Sequence, residues 1–225
     1  MTRLTLLDGE RDEGPFAAPT PLPSRLPPGR HGIPAGLVVE HQRRRLLAAM
    51  GEALAANGYA EVTTTDVSRS AGVSTATFYR HFGNLWDCLL AAYVAGADLL
   101  CERIEAACAG EGAESGAPAL ERGIGAALEL LAAEPALAHL LCAQPPLEAA
   151  AVSAARRLLI ARLAALLRRG RGHDDDTIRP PGLDERMIDA TLGFVHTRVC
   201  ADEGARLAEL VPELTAILGG AVRPA

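Results

Sequence analysis

The sequence predicts an all-α protein: an N-terminal three-helix unit carrying a helix–turn–helix, then a larger helical body. Three observations lead there. Ala and Leu dominate a chain of 225 residues that is 49% hydrophobic but only 4% aromatic, a composition suited to helix packed on helix. Apolar residues recur at three- and four-residue steps through most segments, while Gly and Pro fall between them. The stretch 62–82 holds two short helical patterns joined by a Gly turn. At this length there is room for one large domain or two small ones. The divisions read as an arm over 1–33, a helix–turn–helix domain over 34–83 and a second helical domain over 84–225.

Charge and cysteine content narrow the class. The net charge of −6 argues against a protein that coats nucleic acid indiscriminately. Its distribution is uneven. From 37 to 85 there are five Arg and four acids, and from 86 onward 13 Arg and 20 acids. All 22 basic residues are Arg, the side chain best matched to phosphate and guanine. The five Cys include no CxxC pair, so no disulfide framework is implied and a reducing cytoplasm is expected. No basic-then-apolar leader pattern opens the chain and no apolar run reaches spanning length, so no membrane partner is expected.

Residues 1–33 are rich in Pro, Gly and Arg and too poor in apolar surface to offset their ordering entropy. They read as a disordered arm. Arg25, Arg30 and His31 can reach a minor groove, as some N-terminal arms do; a solvated tail is the plainer alternative. A first helix follows over 34–57, with Val38, Leu46, Leu47, Met50, Ala53 and Leu54 as its apolar stripe. Pro34 suits the first turn and Asn57-Gly58 the stop. Arg43, Arg44 and Arg45 form a basic run that either contacts phosphate or is a solvated face.

The next two helices are expected over 64–71 and 75–82. Thr63 and Ser74 are N-caps, because each hydroxyl can accept from a free backbone N–H of the first turn. Gly72 supplies the left-handed turn. Val67 and Ala71 share one face, Phe78 and Phe82 another. The opposite face of the second helix carries Thr75, Thr77, Tyr79, Arg80 and His81. Such a helix, propped on a partner, has the dimensions to enter a DNA major groove.

Gly58-Tyr59, Thr63, Val67, Ala71-Gly72-Val73-Ser74 and Phe78-Tyr79-Arg80-His81-Phe82 closely resemble the DNA-binding pattern of the tetracycline-repressor (TetR) family of transcription regulators. The resemblance implies contacts position by position. Thr64 and Thr65 match the DNA-touching start of the first motif helix. Ser74, Thr75, Ala76, Thr77, Tyr79, Arg80 and His81 match the reading helix. Tyr79 and His81 would hold phosphates, Thr75, Ala76 and Thr77 would meet base edges, and Arg80 would take a guanine. Arg43, Arg44 and Arg45 would approach the backbone. One position departs: where the family usually has a phosphate-gripping Lys, this chain has Leu85.

Beyond the motif, a long helix is expected over 84–107, linking the DNA-facing part to the body. A loop over 110–118 follows, then helices over 119–133, 135–142 and 146–169. Next come a polar loop over 170–182 with Asp174, Asp175 and Asp176, and helices over 183–202 and 205–219. Ile188, Leu192, Val195 and Val199 form one stripe; Met187, Thr191 and Phe194 form a second beside it. A helix apolar on two faces needs two partners, one of them a second subunit. The family dimerises through its last two helices, which assigns Met187, Thr191, Phe194, Leu207, Leu210, Leu214 and Leu218 to a homodimer interface.

The family also has an effector pocket in the body. Candidate lining groups are Trp86, Tyr93, His139, Cys142, Thr191, Phe194 and His196, for a small apolar or aromatic molecule. His139 with Cys142, and His196 with Cys200, can each share a helical face. Coordination needs three or four converging ligands, so no metal and no cofactor is expected. The sequence reading is therefore a homodimeric, ligand-responsive repressor of a palindromic operator in double-stranded DNA, and not an enzyme: no nucleophile elbow, phosphate loop or HExxH pair occurs. The alternatives are a same-fold regulator acting through protein contacts, or a Cys/His-dependent enzyme.

Overall fold

The computed structural model describes residues 35–109, 116–172 and 179–220. The expected arm, with Arg25, Arg30 and His31, and the Asp174–Asp176 triplet lie outside the described residues. Those described form α1 (Ala35–Glu61), α2 (Thr64–Ser70), α3 (Thr75–His81), α4 (Leu85–Cys108), α5 (Ala117–Ala133), α6 (Pro135–Cys142), α7 (Ala150–Arg171), α8 (Leu183–Cys200), a 3-10 helix over Gly204–Leu210, and α9 (Val211–Gly219). No strand occurs among them.

Local chemistry sets the first boundaries. Gly58 has φ +70° and interrupts α1 at the expected Asn57-Gly58 stop. Thr63 caps α2 in a full capping box: its Oγ1 accepts from Asp66 N at 3.2 Å, and its own N–H donates to Asp66 Oδ2 at 3.1 Å. Gly72 turns the chain with φ +61°, a conformation that costs a residue with a Cβ. Ser74 Oγ accepts from Thr77 N at 3.1 Å, and Asn84 Oδ1 from Asp87 N at 3.0 Å, which starts α4. Phe78 and Phe82 are buried against α1 and α2, in one continuous core with Leu46, Met50, Val67 and Tyr93.

Several boundaries differ from expectation. α7 begins at Ala150 rather than 146, because the preceding residues form a turn closed by Ala149 N to Pro146 O at 3.0 Å. Leu147 there is 94% exposed and holds nothing in place. α8 stops at Cys200, and Asp202 takes φ 60°. The expected helix over 205–219 is broken in two. Pro212 has no N–H to donate back to residue 208, so the 3-10 turn cannot run on as one α ladder and α9 starts afresh.

α4 is central, packing on α1 at one end and on α5, α6 and α7 along its length. α6 crosses α1 closely: a Cβ on Gly51 would lie 3.0 Å from the Ala136 carbonyl oxygen. The helix–turn–helix unit is thus seated on the body through α1, α4 and α6. At the far end, Arg171 and Asp184 form a buried ion pair at 2.8 Å, and Arg171 Nε also donates to Leu218 O at 2.8 Å. That one guanidinium ties α7 to α8 and α9.

Candidate nucleic-acid interface and an internal cavity

The expected contact residues separate into two groups. Thr65, Thr75, Ala76, Tyr79 and Arg80 lie exposed on the outer faces of α2 and α3, and Thr64 is half-buried. Tyr79 is 58% exposed, its ring edge-on to Phe78 at 5.5 Å. Thr77, by contrast, is buried, which corrects its expected place at a base edge. Its Oγ1 lies 2.9 Å from Ser74 Oγ and accepts from Arg80 Nη2 at 2.9 Å. Ser74 and Thr77 thus form an internal bracket that aims the Arg80 guanidinium. His81 is half-buried beside Gln42, Nε2 to Oε1 3.2 Å.

The Arg43–Arg45 run serves three separate jobs. The Arg43 guanidinium stacks 4.7 Å from the Phe82 ring centroid, the geometry of a cation–π contact. Arg44 pairs with Glu40 at 3.4 Å on the surface. Arg45 lies across Gly72, where an added Cβ would stand 2.5 Å from its Nη2. The local field is positive despite the acidic total. Burial first, and then Arg45 and Arg44, hold the His41 pKa below its ordinary value. Burial, Arg43 and Arg80 do the same to His81, against an opposing Glu40. Leu85, where a cation was expected, is half-buried against the core.

A cavity of about 100 Å³ lies inside the body, lined by α4, α5, α7, α8 and α9. Its walls are almost wholly apolar: Leu100, Ile104, Leu128, Leu163, Val195 and Leu214 are representative. Of the seven residues expected at a pocket, only Thr191 lines it, and its Oγ1 is already used on Met187 O at 2.8 Å. The others lie elsewhere. Tyr93 is buried between α4 and α6, donating to Leu141 O at 3.3 Å, and Cys142 is buried too. Trp86 and Phe194 are each 39% exposed. His139 and His196 face one another edge-on, ring centroids 5.5 Å apart; burial lowers both pKa values. The physical reason is position. Trp86 and Tyr93 lie in the first half of α4, and His139 and Cys142 lie on α6, which does not line the cavity. Phe194 and His196 flank cavity-lining Val195 on α8 without lining the space themselves. Sequence reasoning sought polar groups and so missed walls that have none.

The family model for bacterial regulatory proteins of the tetR family matches residues 46–92, spanning α2, α3, most of α1 and the start of α4. Over those residues the chain carries a tetR-family N-terminal domain. Solved structures share the fold of the chain as a whole. A fatty acid degradation regulator, FadR, from Bacillus halodurans is 21% identical, with TM-score 0.68 over 82% of this chain and 97% of that one. The FadR regulator from Bacillus subtilis, solved in complex with stearoyl-CoA, is 22% identical, with TM-score 0.63 over 80% and 98%. A TetR-family regulator from Marinobacter aquaeolei VT8 is 17% identical, with TM-score 0.62 over 83% and 97%. No curated protein matches the chain.

The last two helices present a different outer face from the one expected. Leu207, Leu214 and Leu218 are buried in their own chain, and Thr191, Leu214 and Leu218 line the cavity. Met187 and Leu210 pack half-buried on the same core. Of the seven expected interface residues only Phe194 is exposed. The outer surface instead comprises Ala190, Phe194 and Thr197 on α8, with Pro212, Ala216 and Ile217 on α9. A Cβ on Gly193, between them, would meet nothing within 4 Å. Helical periodicity found the buried stripe of α8, Ile188, Leu192, Val195 and Val199, but of the residues it set aside for a partner only Phe194 is exposed.

Proposed function

We propose that this protein is a TetR-family regulator: a cytoplasmic, homodimeric repressor that grips a palindromic operator through Thr75, Ala76, Tyr79 and Arg80 and is released by a molecule bearing a long apolar chain. The observation that carries the reading is the pairing of an aimed, exposed Arg80 with a wholly apolar cavity at the other end of α4. The outer face of α8 and α9 supplies the dimer contact. Two copies of α3 then stand about 34–36 Å apart, on successive turns of duplex DNA.

The effector class follows from the cavity. With no free polar group on its walls, only apolar surface can be recognised there, as with an acyl chain; the Bacillus subtilis relative in complex with stearoyl-CoA supports this. A cavity of about 100 Å³ is smaller than the roughly 150 Å³ that holds one benzene. A long chain must therefore part α4 from its neighbours. α4 begins beside α3, so parting it moves the reading helix. Operator and effector then weaken each other by the same factor.

The test is selection of genomic DNA by purified full-length protein, followed by challenge with fatty acyl-CoA of graded chain length. Tyr79→Ala and Arg80→Ala should each cut affinity for the selected DNA at least tenfold while the dimer persists. Undiminished binding by both variants refutes the contact assignment. Failure to retain any DNA at low salt favours the alternative, for which half-buried Leu85 is the support: a regulator of this fold acting through protein contacts.

A further inference from the structure

His139 comes from α6, while His196 and Cys200 lie one turn apart on α8. Their donor atoms, one from each residue, lie within 4.8 Å of one another. The two i-spaced pairs seen in the sequence have thus recombined. Cys142 is buried away from the cluster, and three ligands converge where each pair alone offered two. The distance from His196 Nε2 to Cys200 Sγ is 3.5 Å. Zinc bonds of about 2.0–2.1 Å to nitrogen and about 2.3 Å to sulfur, held at the tetrahedral angle, put an N–S edge at about 3.5 Å. The edge-on imidazoles, at 89°, are not stacked, so their ring nitrogens are free to point at a common centre.

We propose that His139, His196 and Cys200 form a binding site for a thiophilic divalent cation, with Zn²⁺ as the reference ion. Cys200 is exposed, whereas Cys88, Cys101 and Cys142 are buried and Cys108 half-buried. Exposure gives the ion an entry path and leaves its fourth position to water, as in three-ligand zinc sites. The thiol gives up its proton on binding. The nearby Arg156 guanidinium does not forbid a cation, because Asp189 stands 2.8 Å from it and offsets its charge. The bound ion clamps α6 to α8. Since α6 is the helix that crosses α1 at Gly51, the clamp fixes the helix–turn–helix unit against the helix with the exposed C-terminal face.

The experiment titrates metal-stripped, full-length protein with Co²⁺ and then Zn²⁺. The expected result is one equivalent per chain, a thiolate-to-cobalt charge-transfer band, and loss of that band on adding Zn²⁺. Cys200→Ser should abolish the band, and His139→Gln and His196→Gln should each weaken binding at least tenfold. Cys142→Ser should leave both unchanged. Alkylation of Cys200 in the native protein should slow when Zn²⁺ is present. Because Cys200 is exposed, its Ser variant keeps the fold and the test stands whatever the His variants do. Unaltered metal affinity in Cys200→Ser, or no uptake by the wild-type chain at micromolar Zn²⁺, overturns the site.

Discussion

Leu85 is the residue at which this chain departs from the TetR pattern it otherwise resembles, and its surroundings say what a cation would do there. It stands at the first turn of α4, three residues after Phe82, and is half-buried on the core. A Lys at 85 can lay its stem along that apolar surface and keep its ammonium in water. Leu85→Lys should therefore raise operator affinity and steepen the plot of log K against log salt by about 0.9 for one added phosphate contact. Fluorescence anisotropy at several salt concentrations measures both; an unchanged slope removes Leu85 from the phosphate track. Residue roles were only half legible in the sequence. Spacing put Thr77 on the polar face of α3, yet its small side chain fits beneath Arg80 and is buried there. A run of three Arg looked like one basic feature, but its members point to Phe82, Glu40 and Gly72. Spacing gives direction round a helix; it does not give the partner waiting there.

Among elements, those with a capping side chain were read from sequence to within a residue at their start, namely α2, α3 and α4 with Thr63, Ser74 and Asn84. Of those without one, α6 opens on a Pro and α8 follows Gly182, and both starts were read, but α5 was read two residues late and α7 and α9 too early. Hydrogen-bond chemistry at a helix end is written in one residue, whereas an uncapped end is decided by packing against distant segments. The same limit hid the Arg171–Asp184 pair, whose members are 13 residues apart on α7 and α8. Both are nearly enclosed, with side chains 6% and 8% exposed. Removing one partner strands the other charge in the interior, at a cost of about 3–5 kcal/mol. Asp184→Ala should accordingly lower the urea midpoint steeply, while the double change Arg171→Met with Asp184→Leu recovers most of the loss. A single-variant effect below about 1 kcal/mol, the range of a surface pair, means the pair does not hold the C-terminal helices together.

At the scale of the whole molecule, the proposed function asks two things of α8 and α9: to face a second copy and to wall a cavity. The residues for the two tasks alternate round the same helices, so each can be changed alone. Phe194 is 39% exposed on the outer side, under the Arg198 guanidinium at 5.0 Å. Phe194→Glu leaves the fold intact, and on the proposed dimer it puts like charges face to face; sedimentation should show monomer, and operator binding should fall with it. Val195, one residue on, is 1% exposed and lines the cavity. A phenyl ring there occupies space that is already free, so it need not push the helices apart as an overpacked core would. Val195→Phe should then dimerise and bind the operator as the parent does, because α3 and the outer face are untouched. What it should lose is release: with the cavity filled, acyl-CoA has nothing to enter and no means of moving α4. Operator complexes of this variant should survive acyl-CoA concentrations that dissociate the parent. If they dissociate equally, the effector acts at another surface, and the leucine-lined space between α4 and α8 is packing rather than a receptor.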